Sequence, residues 1–132
     1  MKTKKMLFIA IVLLGMTVVS CKKETGCTDS SATNFKSSAE KDDGSCTYKG
    51  SVTFWNLTTS TLGLVDVYVG GIPQGTITID YASAPSCGDS GCVTFTAAPG
   101  TYSYSAAEQG TSKTWSGSIT ITSKGCTTVK LY

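Results

Sequence analysis

Val65-Asp66-Val67-Tyr68-Val69-Gly70-Gly71-Ile72-Pro73-Gln74-Gly75-Thr76-Ile77-Thr78-Ile79-Asp80-Tyr81 holds two runs in which apolar and polar residues alternate, with a Gly- and Pro-rich break between them. A period of two puts successive side chains on opposite faces of a strand. Gly and Pro supply the backbone angles of turns. The same texture continues from residue 49 to residue 132, where 26 of 84 residues are Ser or Thr and runs rich in Val, Ile, Thr and Tyr recur. This pattern predicts an all-β fold, a seven-stranded antiparallel β-sandwich. The strands are expected at 51–58, 64–69, 75–81, 92–97, 101–106, 114–122 and 127–132.

The alternation also assigns faces. Val65, Val67 and Val69 point inward, as do Ile77, Ile79 and Tyr81, then Val93 and Phe95, then Tyr102, Tyr104 and Ala106. Trp115, Ile119, Ile121, Val129 and Leu131 complete the expected core. The first strand is ambiguous, because Val52 and Phe54 share one phase while Trp55 and Leu57 share the other. A β-bulge near Phe54-Trp55 would reconcile them.

Gly91-Cys92-Val93-Thr94-Phe95-Thr96 followed by Ala98-Pro99-Gly100-Thr101-Tyr102 resembles a segment of prealbumin-like, Ig-like repeat sandwiches. Collagen-adhesin B-type and carboxypeptidase-regulatory-like domains are examples. The resemblance implies a stalk, spacer or binding module with no chemistry. The Lys–Asn staple of some adhesin repeats cannot be placed, since Asn56 is the only Asn of this region.

Residues 26–48 read differently. Gly26-Cys27-Thr28-Asp29 opens the segment and Asp42-Asp43-Gly44-Ser45-Cys46-Thr47-Tyr48 closes it, with turn-forming residues between. The pattern resembles a short Cys-pair repeat of bacterial surface proteins. A Cys27–Cys46 bridge would staple it and contribute ~3 kcal/mol on the chain-entropy model. Asp29, Asp42 and Asp43 are candidate Ca²⁺ ligands. EF-hand spacing is absent, and capping of turns is the simpler use of these carboxylates.

The first 21 residues read as an export leader and its anchor point. Lys2, Lys4 and Lys5 precede an apolar run from Met6 to Val19, and Ser20 comes before Cys21. This is the layout of a secretory signal peptide spanning 1–20. Val18-Val19-Ser20-Cys21 resembles the lipobox of bacterial lipoproteins. That resemblance implies diacylglycerol and N-acyl lipid on Cys21, a linker over 21–25, and export to the outer membrane, because no Asp follows the cysteine. Two or more acyl chains hold a protein firmly on a membrane.

Without its leader the chain carries eight Lys against nine Asp and Glu, and it has no Arg and no His. No basic patch remains, so a nucleic-acid partner is not expected. Cys27, Cys46, Cys87, Cys92 and Cys126 enter an oxidising compartment, and their odd number leaves one thiol over. If strands alternate up and down, Cys92 and Cys126 start at opposite ends. That favours Cys87–Cys92 with Cys126 single, unless the 82–91 connection crosses the sheet.

Gly88-Asp89-Ser90-Gly91 copies part of a serine-protease nucleophile loop, but a chain without histidine lacks the general base. Asp66 and Asp80 fall on outward phases of consecutive strands, where in-phase pairing would oppose them. They are candidates for weak Ca²⁺ binding or a carboxylate pair, against a default reading as surface charges. Trp55, Tyr68 and Tyr132 also take outward phases, with Leu57 and Leu64. They are expected to form one contact patch, either for an outside protein or glycan partner or, as the favoured reading, for residues 26–48. No enzymatic activity and no dissociable cofactor are expected. The leading functional expectation is a lipid-anchored envelope interaction or adhesion-type module. The alternatives are a structural accessory subunit of an outer-membrane assembly and a carbohydrate- or Ca-binding protein.

Overall fold

The computed structural model describes residues 22–132; the leader and Cys21 lie outside the described residues. Ten strands are present: β1 (Thr25–Gly26), β2 (Lys41–Asp42), β3 (Gly50–Leu57), β4 (Val65–Val69), β5 (Ile72–Ile77), β6 (Asp80–Tyr81), β7 (Val93–Ala97), β8 (Gly100–Glu108), β9 (Thr114–Ile121) and β10 (Cys126–Lys130). No helix occurs among the described residues. They form three sheets: the pair β1-β2, a four-stranded sheet in which β10, β7 and β6 all pair with β3, and a four-stranded sheet of order β5-β4-β8-β9. The all-β expectation therefore holds, with ten strands in three sheets rather than seven in a sandwich.

The pairing is mixed rather than antiparallel. β10 runs parallel to β3, from Cys126↔Ser51 to Lys130↔Trp55, and β6 is parallel to the end of β3. β9 belongs to one large sheet and β10 to the other, so the turn at 122–125 carries the chain across and lays β10 beside β3 in the same direction. Lys124 takes a positive φ of 57° in that turn.

Valines placed every second residue produce the core as expected. Val65, Val67 and Val69 of β4 are buried with Val52, Phe54, Ile77, Val93, Ala106, Ile119, Ile121 and Leu131. Phe95, Tyr102, Tyr104, Trp115 and Val129 pack against this cluster. The Phe54 and Tyr104 rings sit 5.1 Å apart. Each large apolar side chain buried here contributes about 1.5–3 kcal/mol.

The expected strand 75–81 is split. β5 starts at Ile72 because Gly70 and Gly71, with φ of 59° and 78°, make the tight two-residue hairpin that closes Val69 on Ile72. β5 stops at Ile77, after which the chain leaves its sheet and pairs with β3 as β6. Ile79 is consequently 47% exposed instead of core, and Tyr81 is only half-buried. Gly91 receives the crossing chain: its carbonyl accepts the Thr78 N–H at 2.8 Å, and a Cβ there would lie 2.5 Å from Ile79. The expected bulge in the first strand is absent. β3 keeps register with β10 and β7, with Phe54 inside and Trp55 on the opposite face.

The 26–48 segment is stapled by Cys27–Cys46, as expected. Asn34 ties the middle of the segment to its closing end, donating from Nδ2 to the Ser45 carbonyl and accepting the Thr47 N–H. Asp29, Asp42 and Asp43 each accept a backbone N–H two residues on, from Ser31, Gly44 and Ser45, which is the turn-capping use. The segment does not cover an aromatic patch. It meets the larger sheets at the β9–β10 turn, where the Tyr48 N–H donates to Ser123 Oγ and Lys124 Nζ sits 3.9 Å above the Tyr48 ring.

Candidate functional site

The two large sheets present very different outer faces. On the sheet built around β3, alternation turns Ser51, Thr53 and Trp55 away from the core. The 82–91 connection crosses this face. It is fastened by a Cys87–Cys126 disulfide whose Cα atoms are 6.0 Å apart. Cys87 Sγ lies 3.9 Å from the Ser51 carbonyl oxygen and 3.6 Å from that of Thr127. The Gly88 N–H donates to Thr94 Oγ1, which shares a 2.7 Å hydrogen bond with Thr53 Oγ1. Asp89 holds the turn by accepting the Ser86 N–H, and Tyr81 donates to the Ser90 carbonyl. Pro85 is buried within the connection. Thr53 is fully buried and Trp55 is 6% exposed. The Gly-Asp-Ser-Gly sequence is thus part of a roof.

This arrangement corrects two expectations. Cys87 pairs with Cys126, and among the described residues Cys92 is the free cysteine. The strand directions behind the expected Cys87–Cys92 pairing are right, since β7 runs against β3 and β10 runs with it. The 82–91 connection crosses the sheet and carries Cys87 to the far end. Burial, then the nearby Asp89 charge, pushes the Cys92 thiol up, which favours its protonated form. The second correction concerns Trp55, which is sealed and offers no external contact surface.

The outer face of β5-β4-β8-β9 carries no such roof among the described residues. Tyr68 stands here, half-buried, with Ser105 directly opposite on β8 and Ser116 beyond it on β9. Ser103 and Ser118 form the next row, and Thr101 and Thr120 the one after, their hydroxyls 3.5 Å apart. These rows repeat at strand spacing, giving a flat lattice of small hydroxyl groups. Asp66 is the one carboxylate on this face of β4, and it is occupied: Oδ1 accepts from Thr76 Oγ1 at 2.6 Å and from Gln109 Nε2 at 2.9 Å. Those bonds, Thr76 first and Gln109 second, hold its carboxyl below the usual range.

The expected opposition of Asp66 and Asp80 does not form. Asp66 pairs with Thr76, while Asp80 lies in β6 opposite Asn56, on the other sheet. The described residues contain no cluster of three or more His, Cys, Asp or Glu able to hold a metal, and they enclose no pocket. The aromatic patch is dispersed as well. Trp55 is under the roof, Tyr68 is on the opposite outer face, and Tyr132 is at the end of the chain beyond β10, 61% exposed.

Sequence reasoning missed Glu108, whose inward carboxylate closes the β8–β9 hairpin end. Glu108 accepts the Gly63 N–H at 2.7 Å and the Thr111 hydroxyl at 2.9 Å, with Lys113 Nζ at 3.4 Å. The Gly63 bond, then the Thr111 bond, holds its pKa below the ordinary value. A depressed carboxylate pKa contributes stability above the unfolded pKa and loses it as pH falls through the folded one. Melting temperature should therefore drop as pH goes below the usual glutamate range, and Glu108→Gln should flatten that part of the profile. A profile of unchanged slope would mean the clasp does not titrate with folding. Glu before a Gln-Gly turn gives no hint of this role, because its partners at 63 and 111 are set by the fold.

No family model, no curated protein and no solved structure matches the chain.

Proposed function

We propose that this chain is a lipid-anchored cell-envelope interaction module without enzymatic activity, and that the open outer face of β5-β4-β8-β9 is its contact surface. The observation that carries this reading is the contrast between the two outer faces. One is sealed by a disulfide-fastened connection, while the other offers Tyr68 among ordered Ser and Thr hydroxyls. An open tyrosine with neutral hydrogen-bonding neighbours suits a protein or glycan partner, because the ring supplies contact area and the hydroxyls adapt as donor or acceptor. The resemblance of the 91–102 stretch to prealbumin-like repeats supports the same reading, since such domains serve as spacers or binding modules. The lack of histidine and the locked Asp66 carboxylate support a non-catalytic role.

The Val-Val-Ser-Cys ending supports anchoring through lipid on Cys21, with outer-membrane residence by the absence of a following Asp. One experiment on intact envelopes addresses both parts. Tyrosines are labelled in place, the protein is extracted, and its peptides are weighed. The expected result is an acylated N-terminal Cys21 peptide, with Tyr68 labelled less than in the purified protein and Tyr132 labelled freely in both. An unmodified N-terminal residue would sink the anchor. Equal labelling of Tyr68 in both preparations would sink the contact surface.

A further inference from the structure

The open face ends at β9, and that strand's outer edge has an unusual composition. Other edges of the two large sheets carry features that discourage pairing. β5 has Pro73 and a register shift opposite Val67/Tyr68. β10 is strapped at Cys126 by the disulfide and carries Lys130. The start of β7 is tied to the end of β5 through Gly91 and Thr78. β9 pairs one-to-one with β8 from Gly100↔Ile121 to Ala107↔Thr114 with no shift. Thr114-Trp115-Ser116-Gly117-Ser118-Ile119-Thr120-Ile121 contains no Pro and no charge. A long, flat, uncharged edge is a template for another strand, which natural sheets otherwise avoid.

The backbone groups on that edge can be assigned. The Glu108 N–H donates to the Lys113 carbonyl, so odd-numbered residues in this stretch point their N–H and C=O at β8. Thr114, Ser116, Ser118 and Thr120 therefore aim theirs away from it. Among the described residues β9 pairs with β8 alone. The same four residues, with Gly117, read Thr-x-Ser-Gly-Ser-x-Thr, a palindrome centred on Gly117.

We infer that the β9 edge pairs antiparallel with the β9 edge of a second copy of this chain, about a two-fold axis at Gly117, joining two four-stranded sheets into one of eight. A two-fold contact must use one surface that complements itself, and a palindromic strand does so. In this register Thr114 of one copy faces Thr120 of the other, Ser116 faces Ser118, and Trp115 faces Ile119. Hydroxyl pairs and aromatic–β-branched pairs directly opposed across strands are favourable. Lys113, the nearest charge, falls at opposite ends of the joint in the two copies. With eight Lys against nine acids outside the leader, the copies repel little. The pairing stands independently of what the open face binds.

The test uses the full chain in its native envelope, with Cys92→Ser to remove the free thiol. One tagged copy carries Ser116→Cys and a differently tagged copy carries Ser118→Cys. Both are exposed outward positions, so folding is not at stake. Oxidation should join the two copies about tenfold more than it joins a control pair with Ser103→Cys and Ser105→Cys on β8, because only the first pair comes within disulfide reach in the proposed register. No cross-linked dimer, or a yield equal to the control pair, would overturn the pairing. So would capture of a different protein by the β9 cysteines.

Discussion

Trp55→Ala should destabilise the fold by about 3–5 kcal/mol, the usual cost of deleting a buried indole. A small domain has only ~5–15 kcal/mol in total, so much of the chain would unfold at modest temperature. Trp55 is 6% exposed although alternation points it away from the core, on the face of the sheet that the 82–91 connection crosses. Its Nε1 has no hydrogen-bond partner. The ring is therefore held by packing alone, and Trp55→Phe should cost clearly less than Trp55→Ala. Chemical denaturation of the two variants decides it. A loss within about 1 kcal/mol for Trp55→Ala, of the size seen at open surface sites, would mean the roof does not seal this face.

Replacing both Cys87 and Cys126 by Ser should cost about 4 kcal/mol on the chain-entropy model, since the bridge spans 39 residues. The bridge also fastens the roof. Its loss should let water reach Thr53 and Trp55 and shift tryptophan fluorescence to the red before global unfolding. Removing Cys27–Cys46, which spans 19 residues, should leave that fluorescence unchanged, because the segment it staples meets the larger sheets at the β9–β10 turn. Equal spectral effects from the two deletions would place the roof elsewhere.

The all-β class and most of the core were legible in the sequence because the strand faces obey a period of two. The valines of β4, Phe54, Ile119, Ile121 and Leu131 all point where alternation puts them. Alternation says which face a residue takes, but it does not say which strand lies beside it. The parallel β3–β10 pair, the transfer of β6 to the β3 sheet, and the separation of Asp66 from Asp80 are matters of partner choice. Ile77-Thr78-Ile79-Asp80-Tyr81 continues to alternate straight through the crossing.

The candidate site was half legible for the same reason. Tyr68 is on an outer face as its phase requires. Trp55 is too, but exposure depends on what crosses that face, and Ala82-Ser83-Ala84-Pro85-Ser86 has no periodicity to reveal a roof. Cys87 was the one signal available, and nothing local distinguished Cys92 from Cys126 as its partner. Asn56 shows the limit from inside. It occupies an inward position after Val52 and Phe54, fully buried, with neither amide atom hydrogen-bonded.

The contact surface is the centre of this account, and a pair of charged substitutions on β8 tests it most directly. Ser103→Lys with Ser105→Lys places two ammonium groups in the middle of the open hydroxyl lattice, on exposed positions away from the β9 edge. Thr128→Lys places one on the roofed sheet and serves as the control. Partners retained by the protein after mild solubilisation of envelopes are compared across the three forms. The β8 variant is expected to keep its melting temperature and lose those partners, while Thr128→Lys retains them. Full retention by the β8 variant, with loss in Thr128→Lys, would contradict it.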